Sequence, residues 1–140
     1  MKHRWGWGQY FGPPGTDGAW FELYRQMLIQ EGDDDTLRLC QAPPRRWLED
    51  GKQIQVKRAP TFYGPLDMRV ESRAATGEIR VELGMAKRKK PAAILMRLRH
   101  PQEAPIRSVR VNGRQWPDID PHQEWVRIKQ PTEERYEIVV

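Results

Sequence analysis

Three observations in this chain of 140 residues predict a mainly β protein: an antiparallel β-sandwich preceded by one amphipathic α-helix. Apolar residues recur at every second position in successive segments from Ile54 to Val140, the alternation of strands with one face buried and one wet. Turn signals separate those segments at intervals of roughly ten residues, a spacing that suits sandwiches and barrels of short strands. A single stretch, close to the start, carries helical periodicity instead.

In that stretch Pro13, Pro14 and Gly15 mark a loop. Thr16 or Asp17 then offers the short side-chain oxygen that caps a helix by accepting bonds from unpaired N–H groups of its first turn. Trp20, Leu23, Tyr24, Met27 and Leu28 follow at steps of three and four residues, one apolar stripe on one helix face. Gly32 and the acidic run Asp33, Asp34 and Asp35 set the end of the helix near Glu31, since three carboxylates are poorly placed at the negative end of a helix dipole. A lone helix of this length is marginal in water, so its stripe is expected to pack on the sheet or on a partner.

Downstream, residues 36–41 read as a strand that includes Cys40 as a half-buried member. Ala42-Pro43-Pro44 leads to a short helical turn over 45–49, anchored by Trp47 and closed by Asp50-Gly51. The period-two positions are then Ile54 and Val56; Leu66, Met68 and Val70; Ile79, Val81 and Leu83; Ile94, Met96 and Leu98; Val109 and Val111; Val126 and Ile128; and Tyr136, Ile138 and Val140. Asn112-Gly113 is the sharpest turn signal, because both residues tolerate the positive φ of a type I′ turn, and it predicts a hairpin over 108–116. Asp67, Arg69, Glu71, Arg80, Glu82, Arg97 and Arg99 occupy outward positions, where charges pair across strands or stand solvated. The domain division is residues 1–35, an aromatic and glycine-rich loop plus the helix, and residues 36–140, the sandwich.

Composition excludes several classes. Hydrophobic residues are 38% and charged residues 31%, and no apolar run approaches the roughly 20 residues of a bilayer span, so no membrane partner is expected. The basic start lacks the apolar segment of a secretory signal, which describes a soluble protein of undetermined compartment. One cysteine and three scattered histidines give no disulfide and no zinc spacing, so neither metal nor cofactor is expected. The net charge of +5, densest at Lys87, Arg88, Lys89 and Lys90, invites nucleic acid. Pro91 instead makes this run a solvated loop, and no stacking motif or helix-turn-helix spacing accompanies it. Trp5, Trp7, Tyr10 and Phe11 lie among glycines and prolines; such rings stack on sugar faces or cover the apolar face of a neighbouring element.

The order of helix, Met27-Leu28-Ile29-Gln30, acidic turn, Thr36-Leu37-Arg38-Leu39, Ala42-Pro43, Trp47 and Asp50-Gly51 resembles the end of the catalytic toroid in bacterial glycoside hydrolases built from six α/α hairpins. In the α-L-fucosidase-type members a final helix leads through a strand, a proline-tryptophan turn and an Asp-Gly pair into a closing β-sandwich. Val109-Arg110-Val111-Asn112-Gly113, with Trp116 and Asp120, is similar to a hairpin of such accessory sandwiches. The resemblance implies that Asp17-Gly18 corresponds to the pair carrying the general base, with Thr16, Trp5, Trp7 and Trp20 as sugar contacts, although Asp17 as a plain helix cap is the alternative.

Inverting hydrolysis needs a second carboxyl group, which those enzymes take from earlier helices. The chain is therefore expected to be a C-terminal accessory region, inactive alone, whose partners are carbohydrate or the toroid domain. That reading leaves open that Met1 is an internal methionine of a longer chain. Two other readings stand beside this one: a free-standing carbohydrate-binding sandwich, and a nucleic-acid or protein-interaction module using the basic loop.

Overall fold

The computed structural model describes residues 14–87 and 89–140. Among these, helix α1 (Pro14–Leu28) is followed by strands β1 (Ile29–Glu31), β2 (Thr36–Leu39), β3 (Gln53–Ala59), β4 (Leu66–Arg73), β5 (Glu78–Met85), β6 (Ala93–Arg97), β7 (Arg110–Val111), β8 (Arg114–Gln115), β9 (Ile119–Asp120), β10 (Trp125–Lys129) and β11 (Arg135–Val139). They form two sheets, of order β1-β2-β6-β10-β9 and β3-β4-β5-β11-β7-β8. The expected β-sandwich preceded by one helix is the architecture found.

The alternation explains the layers. Leu66, Met68 and Val70 of β4 turn inward while Asp67 and Arg69 face water, and Ile79, Val81 and Leu83 of β5 do the same. From the facing sheet Leu37, Leu39, Ile94, Met96, Val126 and Ile128 close the core. A one-residue slip would turn the apolar set of such a strand to water, so burial on one face excludes it. Between β7 and β8 Asn112 and Gly113 have φ of 49° and 76°, the double positive φ of the predicted hairpin turn.

Four local expectations are corrected. The helix starts at Pro14, a residue whose fixed φ suits the first helical position, so Thr16 and Asp17 lie inside its first turn and are not its cap. It ends at Leu28, not near Glu31, because Ile29, Gln30 and Glu31 pair with Leu39, Arg38 and Leu37; burial of Ile29 and ladder bonds outweigh another helical turn. The acidic run then forms the β1–β2 turn, where Asp34 accepts from the Thr36 N–H and pairs with Arg38 at 2.7 Å, a hydrogen bond that holds its carboxyl below the usual value.

Cys40 lies just past β2, with φ of 53°. Its N–H bonds the Leu28 carbonyl at 2.8 Å and its thiol is buried 3.8 Å from Met68 Sδ. Finally, the sandwich is not wholly antiparallel. β2 runs parallel to β6, with Leu37 beside Ile94, because the chain leaves for three strands of the other sheet before it returns. Parallel neighbours cannot be joined by a tight turn, and this long excursion supplies the crossover.

Leu39→Ala should lower unfolding stability by about 2 to 5 kcal/mol, since it removes a fully buried side chain from a packed core. Leu28→Ala, at the rim of that core, should cost only about 1 to 2 kcal/mol on the apolar area lost; urea denaturation of both variants checks the ranking. Burial pushes the Cys40 thiol up to about 12, so iodoacetamide at pH 8 should label it only after unfolding. The sign for stability follows: the contribution is present below the ordinary thiol value of 9.0 and is lost as pH rises from there through about 12, where the unfolded chain ionises first.

Candidate functional site

Helix α1 meets the sandwich at its C-terminal end. There the Met27 and Leu28 carbonyls accept from the Ala42 and Cys40 N–H groups at 3.1 and 2.8 Å, and Leu28 packs against the core. Further up the helix Leu23 and Tyr24 are each 50% exposed, Trp20 52% and Phe21 79%. Trp20 and Tyr24, one turn apart, bring their ring centroids within 6.2 Å at a tilt of 31°. The stripe read from the sequence is thus covered only at its lower end, and no described element packs over the rest.

A second exposed ring stands at the foot of the helix. Arg25 donates to the Pro60 carbonyl at 2.7 Å and to Glu31 at 3.1 Å, while Glu31 also accepts from the Phe62 N–H. Tyr63 is buried, with its hydroxyl donating to Asp35 at 2.8 Å. These bonds fix the 60–64 turn, and Phe62 is left 74% exposed. Sequence reasoning missed both: Phe21, three residues before Tyr24 and seven before Leu28, belongs to the edge of the stripe and was left out of it, and Phe62 falls in a turn that has no period.

Of the residues singled out for sugar chemistry, Trp5 and Trp7 lie outside the described residues. Thr16 and Asp17 share the first turn of α1, and Trp20 follows on the same helix. The fold brings these last three onto one element. The carboxylate nearest to them along it, Glu22, is five residues beyond Asp17, off its side of the helix, and accepts from the Gln26 amide at 2.8 Å; Asp33, Asp34 and Asp35 sit beyond the far end of the helix, roughly 15 to 20 Å along at 1.5 Å per residue.

One buried carboxylate does sit in a dense charge cluster, on the sandwich. Glu124, with φ of 60°, precedes β10 and receives Arg45 through two bonds of 2.7 and 3.1 Å. Arg99 and Arg97 approach it at 3.6 and 3.9 Å. Arg45 also donates to the His100 carbonyl at 2.7 Å. With both oxygens bonded by the Arg45 guanidinium, Glu124 is a clamp between the 45–48 turn and the β6–β10 pair. Nothing in the spacing signals it, since Arg45 and Glu124 lie 79 residues apart.

The described lysines of the basic loop stay at the surface but have partners there. Lys90 donates to the Glu133 carbonyl at 2.6 Å, Lys87 pairs with Glu134 at 3.7 Å, and Lys89 lies 5.4 Å from the centre of the Tyr63 ring, a cation–π contact. Among the described residues no group of three His, Cys, Asp or Glu is placed to hold a metal, and no described helix is long and apolar enough to cross a membrane.

No family model matches the sequence, and no curated protein does. A solved structure named "Glycoside hydrolase" is similar to it, with a TM-score of 0.44 and 17% identity over 63% of this chain. The chain spans 14% of the length of that structure. A likeness at this level leaves the site to be argued from the residues themselves.

Removing the clamp gives a direct measurement. Glu124→Ala leaves three guanidinium groups facing one another in a half-buried setting, and should lower stability by about 3 kcal/mol. Arg45→Ala added to that variant should cost clearly less than it does alone, a non-additivity that urea denaturation of the double-mutant cycle reads out.

Proposed function

We propose that this chain is an accessory β-sandwich region of a glycoside hydrolase, in which α1 is the closing helix of a helical catalytic domain and its aromatic face packs into that domain. The observation that carries this reading is the uncovered stripe. Single exposed apolar side chains are ordinary, whereas Trp20, Phe21, Leu23 and Tyr24 crowd onto two turns of one helix whose lower end is already anchored, the pattern of an interface in search of its other half. The sequence order from Met27 through Asp50-Gly51, which resembles the toroid-to-sandwich junction of the α-L-fucosidase-type enzymes, supports the same assignment.

In this reading Asp17 supplies at most one of the two carboxyl groups that hydrolysis needs. Protonating a leaving oxygen and activating water call for two groups with separated pKa values on opposite sides of one bond. The sandwich holds and orients, and the chain alone turns nothing over. The Trp20–Tyr24 pair favours a second reading, a free-standing sugar-binding module with these rings as its platform.

Sedimentation velocity should show concentration-dependent self-association of the chain, abolished when Phe21 and Leu23 are both changed to Ser with no loss of the sandwich melting transition. A strictly monomeric wild-type chain would count against an interface on α1. Aryl glycosides should give no turnover; turnover that vanishes in Asp17→Asn would overturn the incomplete-site reading. Thermal stabilisation by a neutral sugar, lost in Trp20→Ala, would instead favour the free-standing module.

A further inference from the structure

The outer face of the six-stranded sheet carries a groove of about 850 Å³, within the range of ligand sites. Its floor is bare at Gly84, which pairs with Asp67 on one side and Arg135 on the other. A Cβ at Gly84 would meet Asp67 Cβ at 3.5 Å, ordinary contact. Glycine is thus not forced there by crowding, and its effect is to leave the sheet surface open. One wall is the irregularity in β3 between Val56 and Ala59. There Arg58 has φ of 49° and its N–H donates to Asp67 Oδ1 at 2.9 Å; such bulges bend an edge strand and redirect its side chains.

The ion pairs of this face leave a distinct remainder. Arg69 pairs with Glu71, and Arg80 with Glu78 and Glu137. Among the described residues Lys57, Arg58 and Arg135 take part in no ion pair; nor do two carboxylates of the groove, Asp67, in the register row of Gly84 and Arg135, and Glu82, in the row between Arg69 and Glu137. The free cations on β3 and on β11 are three strand spacings apart, about 14 Å. One small anion cannot span them. A chain that carries acidic groups on separate units can, provided its middle offers hydrogen-bond donors to Asp67 and Glu82.

We infer that this groove binds an acidic oligosaccharide, with uronate carboxylates held by Arg58 and Arg135 and sugar hydroxyls donating to Glu82. Nucleic acid fits less well, because the bordering ring, Tyr136, is buried at 5% exposure, leaving no stacking platform for bases. The site is separate from α1 and does not depend on what that helix docks against.

Isothermal titration of the whole chain with a galacturonate tetramer tests it, beside a neutral galactose tetramer, a glutamate tetrapeptide and a single-stranded DNA tetramer. Saturable binding of the galacturonate alone is expected, weakened roughly tenfold in Arg135→Ala and in Arg58→Ala, the loss of one charge-assisted contact. Glu82→Ala separates the mechanisms: it should weaken galacturonate binding, whereas a purely electrostatic site would bind every anion more tightly once that carboxylate is gone. The three variants alter exposed side chains, and unchanged melting temperatures would show them folded. No saturable heat with galacturonate, equal or tighter binding of the peptide, DNA or neutral sugar, or tighter galacturonate binding in Glu82→Ala would each overturn the inference.

Discussion

The parallel pairing of β2 with β6 is the constraint on which the remaining geometry rests. It sets residues 36–39 beside residues 93–96 and so places β2 inside the five-stranded sheet, with β1 on one side and the β6–β10 pair on the other. Because the two strands are separated by the excursion through β3, β4 and β5, their contact is long-range and its closure costs entropy that only the completed core offsets. Once made, it fixes where α1 emerges, since the Cys40 N–H at the end of β2 is what bonds the last carbonyl of the helix. It also brings the 45–48 turn against the end of β6, where Arg45, Arg97 and Arg99 converge on Glu124.

The helix and the sandwich are stabilised in different ways. The sandwich encloses a continuous apolar core from both sheets, and its outward faces are charged. Helix α1 contributes Leu28 and little more to that core, so among the described residues its upper turns are held by local backbone bonds, the Glu22–Gln26 hydrogen bond and the Trp20–Tyr24 contact. A helix of 15 residues in that situation is close to the limit of independent stability. The same apolar residues that would stabilise it in contact with another surface are a liability in water, which is the physical reason for reading this face as an interface.

Charge follows an equally uneven pattern. The loop with the densest run of lysines is largely tied to neighbouring carbonyls, carboxylates and the Tyr63 ring, whereas cations that looked unremarkable along the chain, Lys57, Arg58 and Arg135, stand free around an open stretch of sheet. Sequence density of charge is thus a poor guide to where it is available. What matters is whether the fold supplies an internal partner, and an i, i+2 neighbour such as Glu71 for Arg69 or a diagonal one such as Glu137 for Arg80 decides that residue by residue.

The sandwich itself was legible in the sequence because alternation is a local code. A strand with one wet face must place Leu66, Met68 and Val70 on one side and Asp67 and Arg69 on the other, and Asn112-Gly113 must turn, whatever surrounds them. Helical period likewise marked α1. Its limits were not legible, since Ile29, Gln30 and Glu31 suit a helix as well as a strand and were claimed by the ladder with β2, which no local signal announces. The Glu124 clamp, the exposed Phe62 and the open floor at Gly84 were hidden for the same reason: each is made by groups far apart in the chain. Local steric and hydrophobic preferences determined which segments became strands, and the long-range closure of the two sheets decided which side chains met, which were buried, and which were left facing water.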